Sequence, residues 1–202
     1  MRVLIVVDMQ NDFITGSLAN KDAQKIIPKI EEEISKLRDN DLLIFTRDTH
    51  DNNYLKTQEG RMLSIEHCIK NTNGWEICKE LNKYIDNYDK DNYVGPEVVT
   101  LDKYSFGSYN NLRNYMRDEM DITCLIDDFL FYNFMDFNAE RLESITLVGT
   151  CTDICVISNA MILKAAFPET PINVIADACA GVTPESHKNA LEAMKMCQIN
   201  II

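Results

Sequence analysis

The sequence predicts an α/β fold of three layers, helices on both faces of a central, mainly parallel six-stranded sheet. Three observations point there. Short β-branched runs recur along the chain, and segments of helical period lie between several of them, the alternation expected of a parallel sheet covered on both sides. The length of 202 residues, with 46% hydrophobic residues and only seven glycines and five prolines, suits one well-cored domain and is short for two.

The first run, Val3–Val7, lies in "MRVLIVVD", which Arg2 interrupts and Asp8 stops. It is too short for a membrane span or a secretory core with its cleavage site, so the expected compartment is the cytoplasm. A helix follows in which Ala23, Ile27, Ile30, Ile34 and Leu37 share one face and Glu31, Glu32, Lys36 and Arg38 face solvent. Pro28 is expected to kink it or to mark where its regular part begins. The second run is Leu42–Thr46. After it, residues 49–73 show little periodicity, and a loop that long inside a compact domain is usually functional. Val98–Leu101 is the third run. Residues 121–137, "DITCLIDDFLFYNFMDF", are acidic and aromatic and read as a helix with an exposed apolar stripe, a surface for a homo-oligomeric self-contact or a lid. Ile145–Val148 is the fourth run, followed by a helix from Thr152 or Asp153 to before Pro168, with Cys155 in its first turn. After a fifth run, Ile172–Ile175, Thr183-Pro184-Glu185 reads as a helix start: a capping hydroxyl, a proline at the first position and an acid on the dipole's positive end. That helix turns Ala190, Leu191 and Met194 inward. Ile199–Ile202 closes the series.

A net charge of −12 argues against a nucleic-acid surface, which needs clustered Lys and Arg. A small-molecule partner fits better. The cysteines are seven, an odd number without paired CxxC spacing, and with no export signal reduced thiols are the default.

In an open parallel sheet, ligands bind outside the carboxyl ends of the strands. Four runs end in chemistry there: Asp8 after the first, Asp48 and His50 after the second, Lys103 after the third, Cys151 and Cys155 after the fourth. Each alone has a plain structural reading, as a cap, a solvated strand end or a small buried residue. Four coincident strand ends favour a site. A cysteine in a helix's first turn, near a lysine, has its thiolate favoured by the dipole and the positive charge. A carboxylate within reach takes the thiol proton and returns it to a leaving amine, and backbone N–H groups at the strand-to-helix turn receive an oxyanion.

Four stretches carry a resemblance. "VVDMQNDFITGSL" at 6–18, "DKYSFGS" at 102–108, "GTCTDICV" at 149–156 and "ADACAGVTPESHKNAL" at 176–191 resemble, in order and spacing, the isochorismatase-like cysteine hydrolases, nicotinamidases among them. The likeness spans almost the whole chain and implies one such domain over residues 1–202. It implies Cys155 as the nucleophile, Asp8 as general base and acid, and Lys103 as the group that positions and polarises the site. It also implies a cis peptide between Thr150 and Cys151, an oxyanion hole from the N–H groups of Cys151 and Cys155, and contact of Phe13 with an aromatic substrate ring.

Nicotinamidases hold a divalent metal, and the resemblance matches Asp48, His50 and His67 to its ligands. The departure is Tyr54, where many relatives place a histidine. Glu59 is the candidate replacement. Two imidazoles and two carboxylates suit Zn2+ and also accept Fe2+ or Mn2+. The function implied is hydrolysis of nicotinamide to nicotinate through a Cys155 thioester. The rival readings are hydrolysis of another small amide or carbamoyl compound, which Tyr54 keeps open, and a binding protein that retains the fold without the chemistry. His187 falls outside the motifs and is read as structural.

Overall fold

The computed structural model describes residues 1–88, 94–108, 121–126 and 142–202. Along it run β1 (Arg2–Val7), α1 (Asn11–Ile14), α2 (Lys21–Ile34), β2 (Leu42–Asp48), a 3-10 turn (Tyr54–Lys56), α3 (Gln58–Met62), α4 (Lys79–Tyr88) and β3 (Glu97–Lys103). Then come β4 (Ser144–Thr150), a π turn (Thr152–Val156), α5 (Ile157–Ala166), β5 (Ile172–Ala180), α6 (Pro184–Met196) and β6 (Asn200–Ile201). All six predicted strands form, several running past the apolar run that marks them.

The strands make one sheet in the order β3-β2-β1-β4-β5-β6, every neighbouring pair parallel. The period of two along β1 divides the core. Val3, Ile5 and Val7 join Leu163, Leu191 and Met194 from α5 and α6, while Leu4 and Val6 join Ile27, Ile30 and Leu81 from α2 and α4. A strand buried on both faces reads as a continuous apolar run, which is why β1 lacks polar alternation.

Capping follows local chemistry. Asn20 accepts from the N–H groups of Asp22 and Ala23 and starts α2; Thr183 and Ser186 form a reciprocal box at the start of α6, with Pro184 at its first position. The α2 helix runs from Lys21 through Pro28 to Ile34, so the proline lies inside it and does not begin its regular part. The inward face is the predicted one, with Ala23, Ile27, Ile30 and Ile34 buried.

Strands β2 and β3 build outward from β1 on one side, and β4, β5 and β6 on the other, so the winding reverses between β1 and β4. That reversal opens a crevice at their carboxyl ends. Gly149 permits the close approach there: its φ is +116°, and a Cβ at this position would lie 2.2 Å from the Val7 carbonyl oxygen. Among the described residues no helix is long and apolar enough to cross a membrane. Of the acidic aromatic segment, Ile122 and Ile126 are buried in the core; residues 127–137 lie outside the described residues.

Candidate active site

Strand register assembles the site. Asp48 and Lys103 are direct partners across β2 and β3, so their side chains leave the sheet together. Asp8 follows β1 with a left-handed φ of 49°, a conformation uncommon for a residue with a side chain and most frequent at functional positions. Its Oδ1 accepts from the Thr46 hydroxyl at 2.7 Å. Lys103 Nζ lies 2.7 Å from Asp8 Oδ2, 3.1 Å from Asp48 Oδ1 and 3.5 Å from Cys155 Sγ. All four residues are buried.

Burial alone would draw the Lys103 ammonium down, but Asp48 and Asp8 outweigh it and hold its pKa well above the usual lysine range. Burial pushes Asp8 up, against the pull of Lys103. The Cys155 thiol is also pushed well up, by burial first and then by the carboxylates of Asp8 and Asp48, with Lys103 opposing. The resting sulfur is therefore a thiol beside a carboxylate. The thiolate preference expected from helix and lysine is outweighed, because two buried carboxylates face the same sulfur.

Cys155 sits in the π turn, where the Cys151 carbonyl accepts from the N–H groups of Ile154 and Val156 and skips that of Cys155. The Thr150–Cys151 peptide is cis. Asn159 secures the turn from one helical turn on, donating to the Cys155 carbonyl at 2.8 Å and accepting from the Ser108 N–H at 2.8 Å. His187 Nδ1 lies 2.8 Å from the Thr152 hydroxyl, linking α6 to the same turn.

Beside this group lie Asp48, His50, Glu59 and His67, whose ligand atoms all fall within 4.8 Å of one another. His50 Nε2 is 3.0 Å from Asp48 Oδ2 and 3.5 Å from Glu59 Oε1. His67 Nδ1 donates to the Ile65 carbonyl at 2.9 Å, which leaves Nε2 as the lone-pair nitrogen facing Asp48 and Glu59. Two imidazole nitrogens and two carboxylates converging in this way fit a divalent cation. Burial would push Asp48 up, but Lys103, His50 and His67 hold it well below the usual carboxylate range. Tyr54 is fully buried and donates its hydroxyl to the Leu63 carbonyl at 3.0 Å; burial, with Glu59 and Asp48, pushes the phenol up to about 12.

Both groups open into a cavity of about 600 Å³ lined by Phe13, Asp48, Glu59, His67, Phe106 and Cys155 among others. The Phe13 ring centroid lies 5.7 Å from that of His67. Sequence reasoning passed over Gln10, although it lies inside a quoted motif. Its amide accepts from the Asp48 N–H at 2.8 Å and donates to the Asp48 carbonyl at 2.9 Å and the Trp75 carbonyl at 2.8 Å. A buried glutamine just after a strand was the available signal, since such an amide must find backbone partners. The apolar outer wall, Met62, Leu63 and Val182, carries no mark in the sequence, because these residues are distant along the chain.

The isochorismatase domain matches residues 2–119 and 137–202 of the chain. A nicotinamidase of Schizosaccharomyces pombe is 22% identical over 98% of this chain and 91% of its own. A nicotinamidase/pyrazinamidase of Mycobacterium tuberculosis is 25% identical over 100% of this chain and 98% of its own. Among solved structures, a pyrazinamidase of Pyrococcus horikoshii in complex with zinc superposes with a TM-score of 0.69 at 25% identity, covering 100% of this chain and 98% of that one.

Proposed function

The chain belongs to the isochorismatase family, and on that premise we propose that it is a cysteine amidohydrolase converting nicotinamide and water to nicotinate and ammonia. The observation that carries this reading is Lys103 Nζ, within 2.7 Å of Asp8 and 3.5 Å of Cys155 Sγ at the floor of a cavity that also holds the four-ligand cluster. The small-amide class is supported by the relatives named above.

Asp8 takes the thiol proton as Cys155 Sγ attacks the carboxamide carbon; a thiol that stays protonated until attack needs that base at hand. The N–H groups of Cys151 and Cys155 stabilise the oxyanion. Asp8 returns the proton as the C–N bond breaks and ammonia leaves. It then draws a proton from water, whose oxygen cleaves the thioester C–S bond, and gives that proton back to sulfur. Lys103 remains charged throughout and keeps the Asp8 carboxylate aimed. Phe13 contacts the substrate ring. Asp48, His50, Glu59 and His67 are the residues that would hold a divalent ion, Zn2+ before Fe2+ or Mn2+. Such an ion, when bound, supplies a Lewis-acid contact for the pyridine nitrogen.

The test is ammonia release from nicotinamide and from a panel of small amides, with and without a chelator. Nicotinamide turnover that falls with chelation and returns with added Zn2+ is expected. Absent nicotinamide turnover alongside hydrolysis of another amide would overturn the substrate assignment.

A further inference from the structure

We propose that Tyr54 is a positioning residue for the metal-ligand set: its ring fixes the two imidazoles, its carbonyl fixes the helix that carries Glu59, and its hydroxyl braces the cavity wall. This rests on the reading of Asp48, His50, Glu59 and His67 as cation ligands.

Three rings meet beside the cluster. The Tyr54 centroid lies 4.6 Å from that of His50 and 4.9 Å from that of His67, and the two imidazoles are 4.8 Å apart at an interplanar angle of 73°. The Tyr54 ring meets His67 nearly edge-on, at 78°. These spacings are those of favourable edge-to-face contact. With Tyr54 fully buried, neither imidazole can rotate toward it without displacing a packed ring. Ring orientation decides whether a nitrogen lone pair points at a metal, so a wall of this kind acts on affinity as a supporting hydrogen bond does.

The backbone of the same residue reaches the third ligand. The Tyr54 carbonyl accepts from the Thr57 hydroxyl at 2.7 Å and from the Thr57 N–H at 2.8 Å. Thr57 in turn caps α3, accepting from the Gly60 N–H at 3.0 Å, and α3 carries Glu59 in its first turn. Gly60 closes the fit: a Cβ there would lie 2.1 Å from the Tyr54 carbonyl oxygen. The hydroxyl, bonded to the Leu63 carbonyl, fastens the end of α3 where Met62 and Leu63 line the cavity. One residue thus supports His50, His67 and Glu59, each through a different part of itself.

The test compares Tyr54→Phe, which keeps the ring, with Tyr54→Met, which fills the space with a flexible chain; Tyr54→Leu serves in place of Tyr54→Met if that protein does not fold. Zn2+ affinity is measured by chelator competition and ligand geometry by the visible spectrum of the Co2+-loaded full chain. Tyr54→Phe is expected to bind Zn2+ within about threefold of the parent, with an unchanged Co2+ spectrum and a raised KM at similar kcat. Tyr54→Met is expected to weaken Zn2+ by about 10- to 100-fold and to alter the spectrum. Parent-like affinity and spectrum in the folded Tyr54→Met chain would overturn the proposal and leave the cation reading standing. Equal losses in Tyr54→Phe and Tyr54→Met would also overturn it, since the hydroxyl and not the ring would then matter. A parent chain that binds no Zn2+ would remove the cation reading and this proposal together.

Discussion

At the scale of single residues, Cys151 and Cys155 carry the same thiol but are placed for different work. The Cys155 sulfur faces Lys103, whereas the Cys151 thiol accepts from the Thr150 hydroxyl at 3.3 Å and burial pushes it up to about 11. Cys155→Ala should lower kcat by at least about 10⁴-fold, since it removes the nucleophile of a unit that acts together. Cys151→Ala should stay within about tenfold of the parent, because the backbone N–H survives. Ammonia release by the two purified variants checks both; comparable losses would mean that the thiols act as a pair. A serine or valine scan could not make this distinction from the sequence, where the two cysteines sit in one motif and differ only by their position relative to the strand's end.

At the scale of elements, each strand end delivers one group, and the backbone that delivers it tolerates little change. Gly149→Ala would place a methyl against the Val7 carbonyl oxygen, 2.2 Å away, at a φ that side chains avoid. It is expected to cost about 3 kcal/mol or more, read by denaturant unfolding, and to lower activity by separating β4 from β1 beside Asp8. Loss of less than about 1 kcal/mol would show that the strands can part without consequence. Thr183→Ala removes an exposed cap of α6 far from the chemistry. It should cost about 1 kcal/mol, lowering Tm by about 2–4 °C with kcat unchanged. Helix starts such as this one were readable from residue order because a cap involves neighbours three positions apart. The course of α2 through Pro28 was not, since burial of Ile26, Ile27 and Ile30 on the sheet offsets the hydrogen bond a proline lacks.

At the scale of the whole molecule, the amino-terminal strand is tied to the rest through Asp41. Its buried carboxylate receives Arg2 Nη2 at 2.6 Å and Arg38 Nη2 at 3.1 Å, as well as the backbone N–H groups of both arginines. Burial would raise its pKa, but Arg38 and Arg2 outweigh that and hold it well below the carboxylate range. A depressed folded pKa means that the stabilisation is complete above the unfolded value of about 4 and is lost as pH falls through and below it. Asp41→Asn should therefore cost about 2 kcal/mol at neutral pH, and the gap in Tm between parent and variant should narrow from about pH 5 down to pH 3. A gap independent of pH would show that packing, not charge, is what Asp41 contributes. The sequence by itself determined the α/β class, the six strands, the helix caps and the strand-end position of Asp8, Asp48, Lys103 and Cys155, because periodicity and capping are local and are written in residues a few positions apart. Only the tertiary structure decided that Lys103 lies between both carboxylates and the thiol, that the sulfur rests protonated, that Glu59 turns toward the two imidazoles, and that Tyr54 is packed behind them. Those outcomes depend on parallel register and shared burial among segments dozens of residues apart, and the fields and contacts that result exist only once the strands are side by side.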